Sequence, residues 1–516
     1  MRPVGPDPRP AARVPLCAAQ QGIWFAQRTA PGSSVFNTGQ ALWLDGPLDV
    51  AGLARAVTQV VAEADALSLR IAPGPDGAPQ QWTDPAAAPR LLHRDMTGSD
   101  PAAVEAALWA EAQSPVDLTT GPLAGFTLWR LGPERHVLSQ RVHHLAADGF
   151  ANLLLTNRIA ALYSAAREGR AAPRPLEPFA RAAEAEAAYT GSIDESRDRA
   201  WWRAHLAQLD DVGSLTEGAP GISNWFLRHE APLDDDLRRA LLDRAAATGL
   251  SWPDLATALI AAYLARCTIG GASVPGVPLM NRMRSGAARV VCSWVNVLPF
   301  HHPVRADQPL DAWLAGAAQA LADLRRHGRY RGEALRRDLG RVGQGRRLHG
   351  PLINVLPFDT APKMTGLDTR LQILGAGSVE DVTFTLRGDA RRGLCFQIDA
   401  NPDLYEAQTH IAARNATDHP VPDTTLPALI AAQMQATPEA PALVFDGRPC
   451  ATAIWTGPAP RWRRRLSRTA CAAAMWWRWP CRAGSICWWR WSRCSGRGPP
   501  MCRSTPRMTA PAAPIC

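Results

Sequence analysis

His143-His144-Leu145-Ala146-Ala147-Asp148-Gly149 lies between two runs of different periodicity. Ahead of it, Arg135-His136-Val137-Leu138-Ser139-Gln140-Arg141-Val142 reads as a strand, and behind it Phe150 to Ala166 reads as a helix. A titratable pair at a strand end, on a loop that leads into a helix, is a common place for chemistry in α/β folds. Successive strand side chains point to opposite faces, so His143 and His144 should not share a role. One can look into a cavity while the other is held in its wall. Asp148 can fix the loop through a salt bridge, and Gly149 lets backbone approach closely.

Four further segments accompany the histidines in a defined order. They are Ala19-Gln20-Gln21-Gly22-Ile23-Trp24, Val116-Asp117-Leu118-Thr119-Thr120-Gly121-Pro122-Leu123, Trp201-Trp202-Arg203-Ala204-His205-Leu206 and Val295-Asn296-Val297-Leu298-Pro299. With H-H-x-x-x-D-G, this set resembles the condensation domains of nonribosomal peptide synthetases, a branch of the chloramphenicol-acetyltransferase-like acyltransferases. The resemblance spans roughly residues 12–400. Arg325-Arg326-His327-Gly328-Arg329-Tyr330, Gly350-Pro351-Leu352-Ile353-Asn354-Val355 and Phe358-Asp359 bring it nearest to members that accept an aryl acid such as dihydroxybenzoate. One segment departs: where the family has R-H-E-x-L-R-x-x-F, this chain has Glu63-Ala64-Asp65-Ala66-Leu67-Ser68-Leu69-Arg70-Ile71. Both usual arginine positions are lost and Arg70 is gained.

The resemblance implies an α/β fold of two chloramphenicol-acetyltransferase-like lobes, a V-shaped pseudo-dimer with a central tunnel. It implies an N-terminal lobe over 12–172 and a C-terminal lobe over 179–410, joined by Pro173-Arg174-Pro175-Leu176-Glu177-Pro178. The expected reaction joins a carrier-bound acyl thioester to a carrier-bound aminoacyl amine, in siderophore-type biosynthesis. His144 is then the catalytic residue, either a base or a positioning partner. His143, Asp148 and Gly149 are structural, and Asp148 pairs with Arg282 in Leu279-Met280-Asn281-Arg282-Met283-Arg284. The partners are a donor aryl or acyl carrier protein and an acceptor peptidyl carrier protein. Their 4'-phosphopantetheine arms hold the substrates, and the chain itself binds no cofactor. A metal site built on His-His-x-x-x-Asp is disfavoured, because adjacent strand histidines rarely share one ion and no cysteine cluster completes a ligand set. Other readings remain open: a related acyltransferase, an epimerising domain, or an inactive remnant that only binds carrier proteins.

The net charge of +9 is misleading as a guide to partners. Residues 449–516 hold 12 arginines and no lysine, aspartate or glutamate, so residues 1–448 carry −3. That mild acidity gives no cue for nucleic acid. No apolar run reaches the length of a membrane span, and Met1-Arg2-Pro3-Val4-Gly5-Pro6-Asp7-Pro8 lacks a signal-peptide core, so a cytoplasmic location is expected. Residues 449–516 also hold 8 of the 19 tryptophans and 7 of the 11 cysteines. The runs around Trp476-Trp477-Arg478-Trp479 and Cys487-Trp488-Trp489-Arg490-Trp491 show no clear period. Residues 415–449 resemble the truncated start of an adenylation domain, and 450–516 read as a disordered product of a frameshift in GC-rich DNA. The closing helix usual in the family is mostly absent between Asp403 and Asn415.

Hydrophobic spacing predicts helices over 48–64, 102–113, 151–167, 234–247 and 252–267, the last with Ser251 as cap and Pro253 in its first turn. Strands are predicted over 122–131, 135–143, 274–280, 293–299, 352–358 and 394–399.

Overall fold

A computed structural model describes residues 13–405, apart from 210, 219–220, 222, 224, 283–285, 306, 343–345 and 358–359. Towards the C-terminus it describes 432, 435–437, 441–445, 448–451, 476–480 and 486–490. The chain divides into two compact units, residues 1–415 and 416–516.

Within the first unit, a five-stranded sheet has the order Asp368–Ala376, Asn37–Asp45, Arg135–His143, Ala124–Gly132, Leu91–Asp95. The first three pairings are antiparallel and the last is parallel. The side chains alternate as a pleated strand requires. Leu42, Leu44, Leu128, Leu138 and Val142 share a core with the helices Val50–Glu63 and Gly149–Arg167. Ala41, Trp129 and Val137, on the opposite face, pack with Val104 and Leu108 of the helix Pro101–Ala112. Each leucine buried this way contributes about 1.5–3 kcal/mol, which fixes the register of the strand that ends at His143.

The second half of this unit is built on a six-stranded mixed sheet, in the order Asn296–Pro299, Gly276–Leu279, Leu352–Leu356, Val382–Asp389, Gly393–Ala400, Leu227–Pro232. The helices Ile193–His205, Trp252–Cys267 and Leu310–Arg326 supply its core through Trp202, Leu255, Trp313 and Leu314. Ser251 caps the second of these, its Oγ accepting from Asp254 N at 3.3 Å, with Pro253 in the first turn. Trp202 is fully buried, and its Nε1 donates to His327 O at 2.9 Å.

The expected strand over 293–299 is shorter, Asn296–Pro299. The reason is local: the amides of Trp294 and Val295 donate to the Asp148 carboxylate instead of to a neighbouring strand. Asp368–Ala376 also departs from a simple division at the linker. It follows the linker in sequence, yet it completes the first sheet, paired with Asn37–Asp45 from Asp368↔Asp45 to Ala376↔Thr38 through a bulge between Ile373 and Gly375.

The departing segment around Glu63 has a structural role. Glu63 pairs with Arg158 at 2.7 Å and accepts from Leu176 N at 3.1 Å, while Asp65 accepts from Phe179 N at 2.9 Å. Arg158 in turn donates to Pro173 O at 2.8 Å. Both acids therefore hold the linker between the halves. Arg70 pairs with Asp84 at 3.1 Å.

The expected closing-helix interval from 406 onward, and most of the adenylation-like and frameshifted segments, lie outside the described residues. In the second unit, Pro441–Phe445 pairs antiparallel with Arg448–Ala451, and Trp476–Pro480 with Ile486–Arg490. The latter pairing sets Trp477 opposite Trp489, in keeping with the preference of aromatic residues for strands. The expectation of disorder over 450–516 otherwise falls on residues outside those described.

Candidate active site

The backbone turns sharply after the strand Arg135–His143. His143 N donates to Leu123 O at 2.8 Å, His144 N to Phe36 O at 2.7 Å and Ala146 N to His143 O at 2.8 Å. The two imidazoles part at this point. His143 is 1% exposed, with Nε2 3.2 Å from Gln27 Oε1 and Nδ1 accepting from Leu145 N at 3.2 Å. Burial, with lesser contributions from His144 and Arg141, pushes its pKa down to about 3, so it stays neutral. Accepting through Nδ1 leaves the proton on Nε2, where it is donated to Gln27.

His144 is half-buried and lines a cavity of about 1140 Å³. Both halves contribute to the wall, with Phe36 and Asn152 from the first and Ser293, Asn296 and Arg329 from the second. Its Nδ1 lies 3.5 Å from Ser293 Oγ. Burial holds its pKa below the ordinary histidine value, while the nearby Asp148 charge pulls the other way and does not prevail. The ring is therefore a neutral imidazole near pH 7, able to accept a proton.

Asp148 is the most heavily used side chain of the loop. Its Oδ1 accepts from Ala151 N at 2.9 Å, capping the helix Gly149–Arg167. Both carboxylate oxygens lie 2.9 Å from Arg282 Nη2, and Oδ2 also accepts from Trp294 N at 2.9 Å and Val295 N at 3.0 Å. Burial alone would raise its pKa. The Arg282 guanidinium and the Ala151 and Trp294 amides outweigh that and hold the carboxyl below the usual range. Arg282 donates further to Val290 O and Cys292 O, both at 2.7 Å. Both side chains are almost fully buried, at 2% exposure for Asp148 and 1% for Arg282. One carboxylate thus starts a helix in the first half and orders the 290–295 backbone of the second. The helix starts at Gly149, one residue before the run predicted as helical, which makes Asp148 its cap as well as the expected salt-bridge partner.

Gly149 differs from the expected close backbone approach. Its φ is not in the positive range, and a Cβ built on it would meet nothing within 4 Å. The open space in front of it is the cavity, which Gly149 helps to line.

Three of the four other sequence segments reach the same loop, through Gln20, Leu123 and Val295. Gln20 is fully buried, and its Nε2 donates to Leu145 O at 3.0 Å. Asn296 Nδ2 donates to Gly328 O at 2.7 Å and Tyr330 O at 2.8 Å, tying together two of the segments that carried the resemblance. Gln27, Ser293 and Gly377 were not singled out in the sequence. They meet the histidines only through folding, and no local pattern marks them. Among the described residues, no group of three or more His, Cys, Asp or Glu is placed to hold a metal ion, and no helix is long and apolar enough to cross a membrane.

The chain is similar to known proteins over most of its length. The family model described as condensation domain matches residues 11–415. A dimodular nonribosomal peptide synthase of Bacillus subtilis (strain 168) is 35% identical over 396 residues, covering 76% of this chain and 16% of the relative. Enterobactin synthase component F of Escherichia coli (strain K12) is 31% identical over 474 residues, covering 83% of this chain and 36% of the relative. The chain thus spans well under half the length of these relatives. Among solved structures, the first condensation domain of the calcium-dependent antibiotic synthetase, in complex with a substrate analogue, superposes with a TM-score of 0.71 at 28% identity. That match covers 79% of this chain and 95% of the other. VibH, a nonribosomal peptide synthetase condensation enzyme, gives 0.69 at 26% identity, covering 82% and 97%.

Proposed function

Because this chain belongs to the condensation-domain family of nonribosomal peptide synthetases, we propose that it forms an amide between two carrier-bound substrates. The observation that carries this reading is a neutral His144 on the wall of a cavity lined by both halves. A donor acyl thioester enters on the phosphopantetheine arm of one carrier protein, and an aminoacyl thioester enters on that of another. The cavity serves as the tunnel in which they meet, between lobes set as a V.

The acceptor nitrogen attacks the donor carbonyl, the new C–N bond forms and the C–S bond breaks. The amine proton passes to His144, and the departing thiolate leaves as thiol once protonated. In the tautomer with Nδ1–H towards Ser293 Oγ, the Nε2 lone pair is the one that takes the proton. Holding both thioesters at one ring also turns a bimolecular encounter into a positioned reaction. Asp148 and Arg282 do no chemistry in this scheme; they hold the His144 loop and the Ser293 segment against each other. The likeness to enterobactin synthase component F and to vanchrobactin synthetase supports siderophore-type chemistry with an aryl donor, and the same reading puts the reaction in the cytoplasm.

The test is to mix the full chain with a carrier loaded with dihydroxybenzoyl thioester and a second carrier loaded with seryl thioester, then follow the amide by mass spectrometry. Removing a general base typically costs about 10²–10⁴-fold, so His144→Ala should lose turnover on that scale with its fold intact. Undiminished turnover in His144→Ala would sink the assignment. Turnover with free amines or alcohols, but not with the loaded carrier, would favour a related acyltransferase.

A further inference from the structure

We propose that Gly377 is a positioning residue for the reaction, setting where the His144 ring stands in the cavity. It rests on the reading of His144 as the group that takes the amine proton. Gly377 follows the strand Asp368–Ala376, the strand that enters the first sheet beside Asn37–Asp45. Its φ is +93°, a conformation that side-chain-bearing residues rarely adopt. A Cβ built on it would stand 3.1 Å from His144 Cδ2 and 3.6 Å from Nε2. A side chain at 377 would therefore stand against the edge of the imidazole that carries Nε2. Its neighbours Gly375 and Ser378 line the cavity itself.

The ring is thus held between two contributions that follow the linker in sequence. Ser293 Oγ lies 3.5 Å from Nδ1, and Gly377 lies against the opposite edge. The Ser293 contact is long and leaves the ring freedom to tilt. On the Nε2 side Gly377, lacking a side chain, leaves the ring its seat and keeps the nitrogen reachable. Any Cβ at 377 must push the ring away from its seat.

The experiment compares the full-length wild type with Gly377→Ala, Gly377→Asn and His144→Ala. The assay uses the dihydroxybenzoyl and seryl carriers, and the histidine ring resonances are followed by NMR with selectively labelled histidine. The 3.1 Å approach asks the ring to give by a few tenths of an ångström; a displacement of about 1 Å can cost ~100-fold, so kcat should fall several-fold in Gly377→Ala with KM little changed. The His144 resonances should move while those of His301 and His302 stay in place. Asparagine tolerates positive φ better than alanine, so Gly377→Asn separates the clash from backbone strain and should lose kcat equally. If His144→Ala loses turnover while Gly377→Ala keeps full kcat and an unmoved ring, the Gly377 assignment alone is overturned. If His144→Ala keeps its turnover, the underlying reading fails instead. The ring resonances need no substrate, so they decide the Gly377 contact even without turnover on these carriers. If neither Gly377 variant folds, a nuclear Overhauser contact between Gly377 Hα and His144 Hδ2 in the wild type supports the proposal, and its absence overturns it.

Discussion

Two of the places that tie the halves of residues 13–405 together are built differently. At the cavity, Asp148 and Arg282 form a pair at most 2% exposed, surrounded by backbone donors and acceptors from the 287–295 segment. At the linker, Glu63, Asp65 and Arg158 grip residues 173–179, and the Arg158–Glu63 pair is the less sealed of the two, at 5% and 13% exposure. Charges nearly sealed from solvent are costly to orphan, whereas partly hydrated ones can recover water. The cavity junction therefore carries fold and site at once. The linker junction carries only the path of the chain.

The sharpest way to break this contrast is Asp148→Ala, which leaves Arg282 charged and buried. About 3–5 kcal/mol should be lost, seen as a lower denaturant midpoint and less soluble protein. Full stability with lost turnover would instead make Asp148 a catalytic group and erase the distinction. Glu63→Gln keeps the shape at the linker but removes the charge facing Arg158. A charge-assisted hydrogen bond there is worth about 1.5–3 kcal/mol, and the amide product should still form at the wild-type rate.

Acid should also separate the two junctions. His143 has a folded pKa of about 3 against an ordinary value near 6.5, so between those limits the unfolded chain binds a proton that the native chain refuses. Stability is fully present above pH ~6.5 and falls by up to about 1.4 kcal/mol per unit as the pH drops towards 3. Denaturation midpoints measured down this range should show that slope in the wild type and a shallower one in His143→Gln, where His144 and Asp148 still contribute. The smallest effect is expected for Asp65→Asn, about 1 kcal/mol or less, since the amide oxygen can still accept from Phe179 N. A loss as large as that of Asp148→Ala would place the linker on a par with the cavity junction.

The sequence made the contiguous part of the site legible. His143 to Gly149 is a local pattern at a strand end, and the period-two run before it predicts that the histidines part, while the family resemblance pointed to His144 as the reacting one. The meeting of Asp148 with Arg282 was anticipated only through family resemblance, because nothing local links positions so far apart. Ser293, Gln27 and Gly377 escaped for the same reason: each is one ordinary residue whose role exists only after long-range pairing. Gly149 shows the converse, a conspicuous glycine that the backbone does not need for its torsion. Strand ends were missed where a side chain took over from a neighbouring strand, as Asp148 does for Trp294 and Val295. The strand Asp368–Ala376 went unread because the residues it joins, Asn37–Asp45, lie near the other end of the domain.

That strand bears on how such domains can be shuffled between synthetases. Exchanging the segments on either side of the linker trades more than a lobe, because the hydrogen-bonded edge of the first sheet travels with the second piece. A hybrid cut at 173–178 must therefore accept a foreign edge along Asn37–Asp45 and a foreign turn against His144, or leave the edge open to pair with other chains. Breakpoints that move Asn37–Asp45 and Asp368–Ala376 together keep that inherited edge intact.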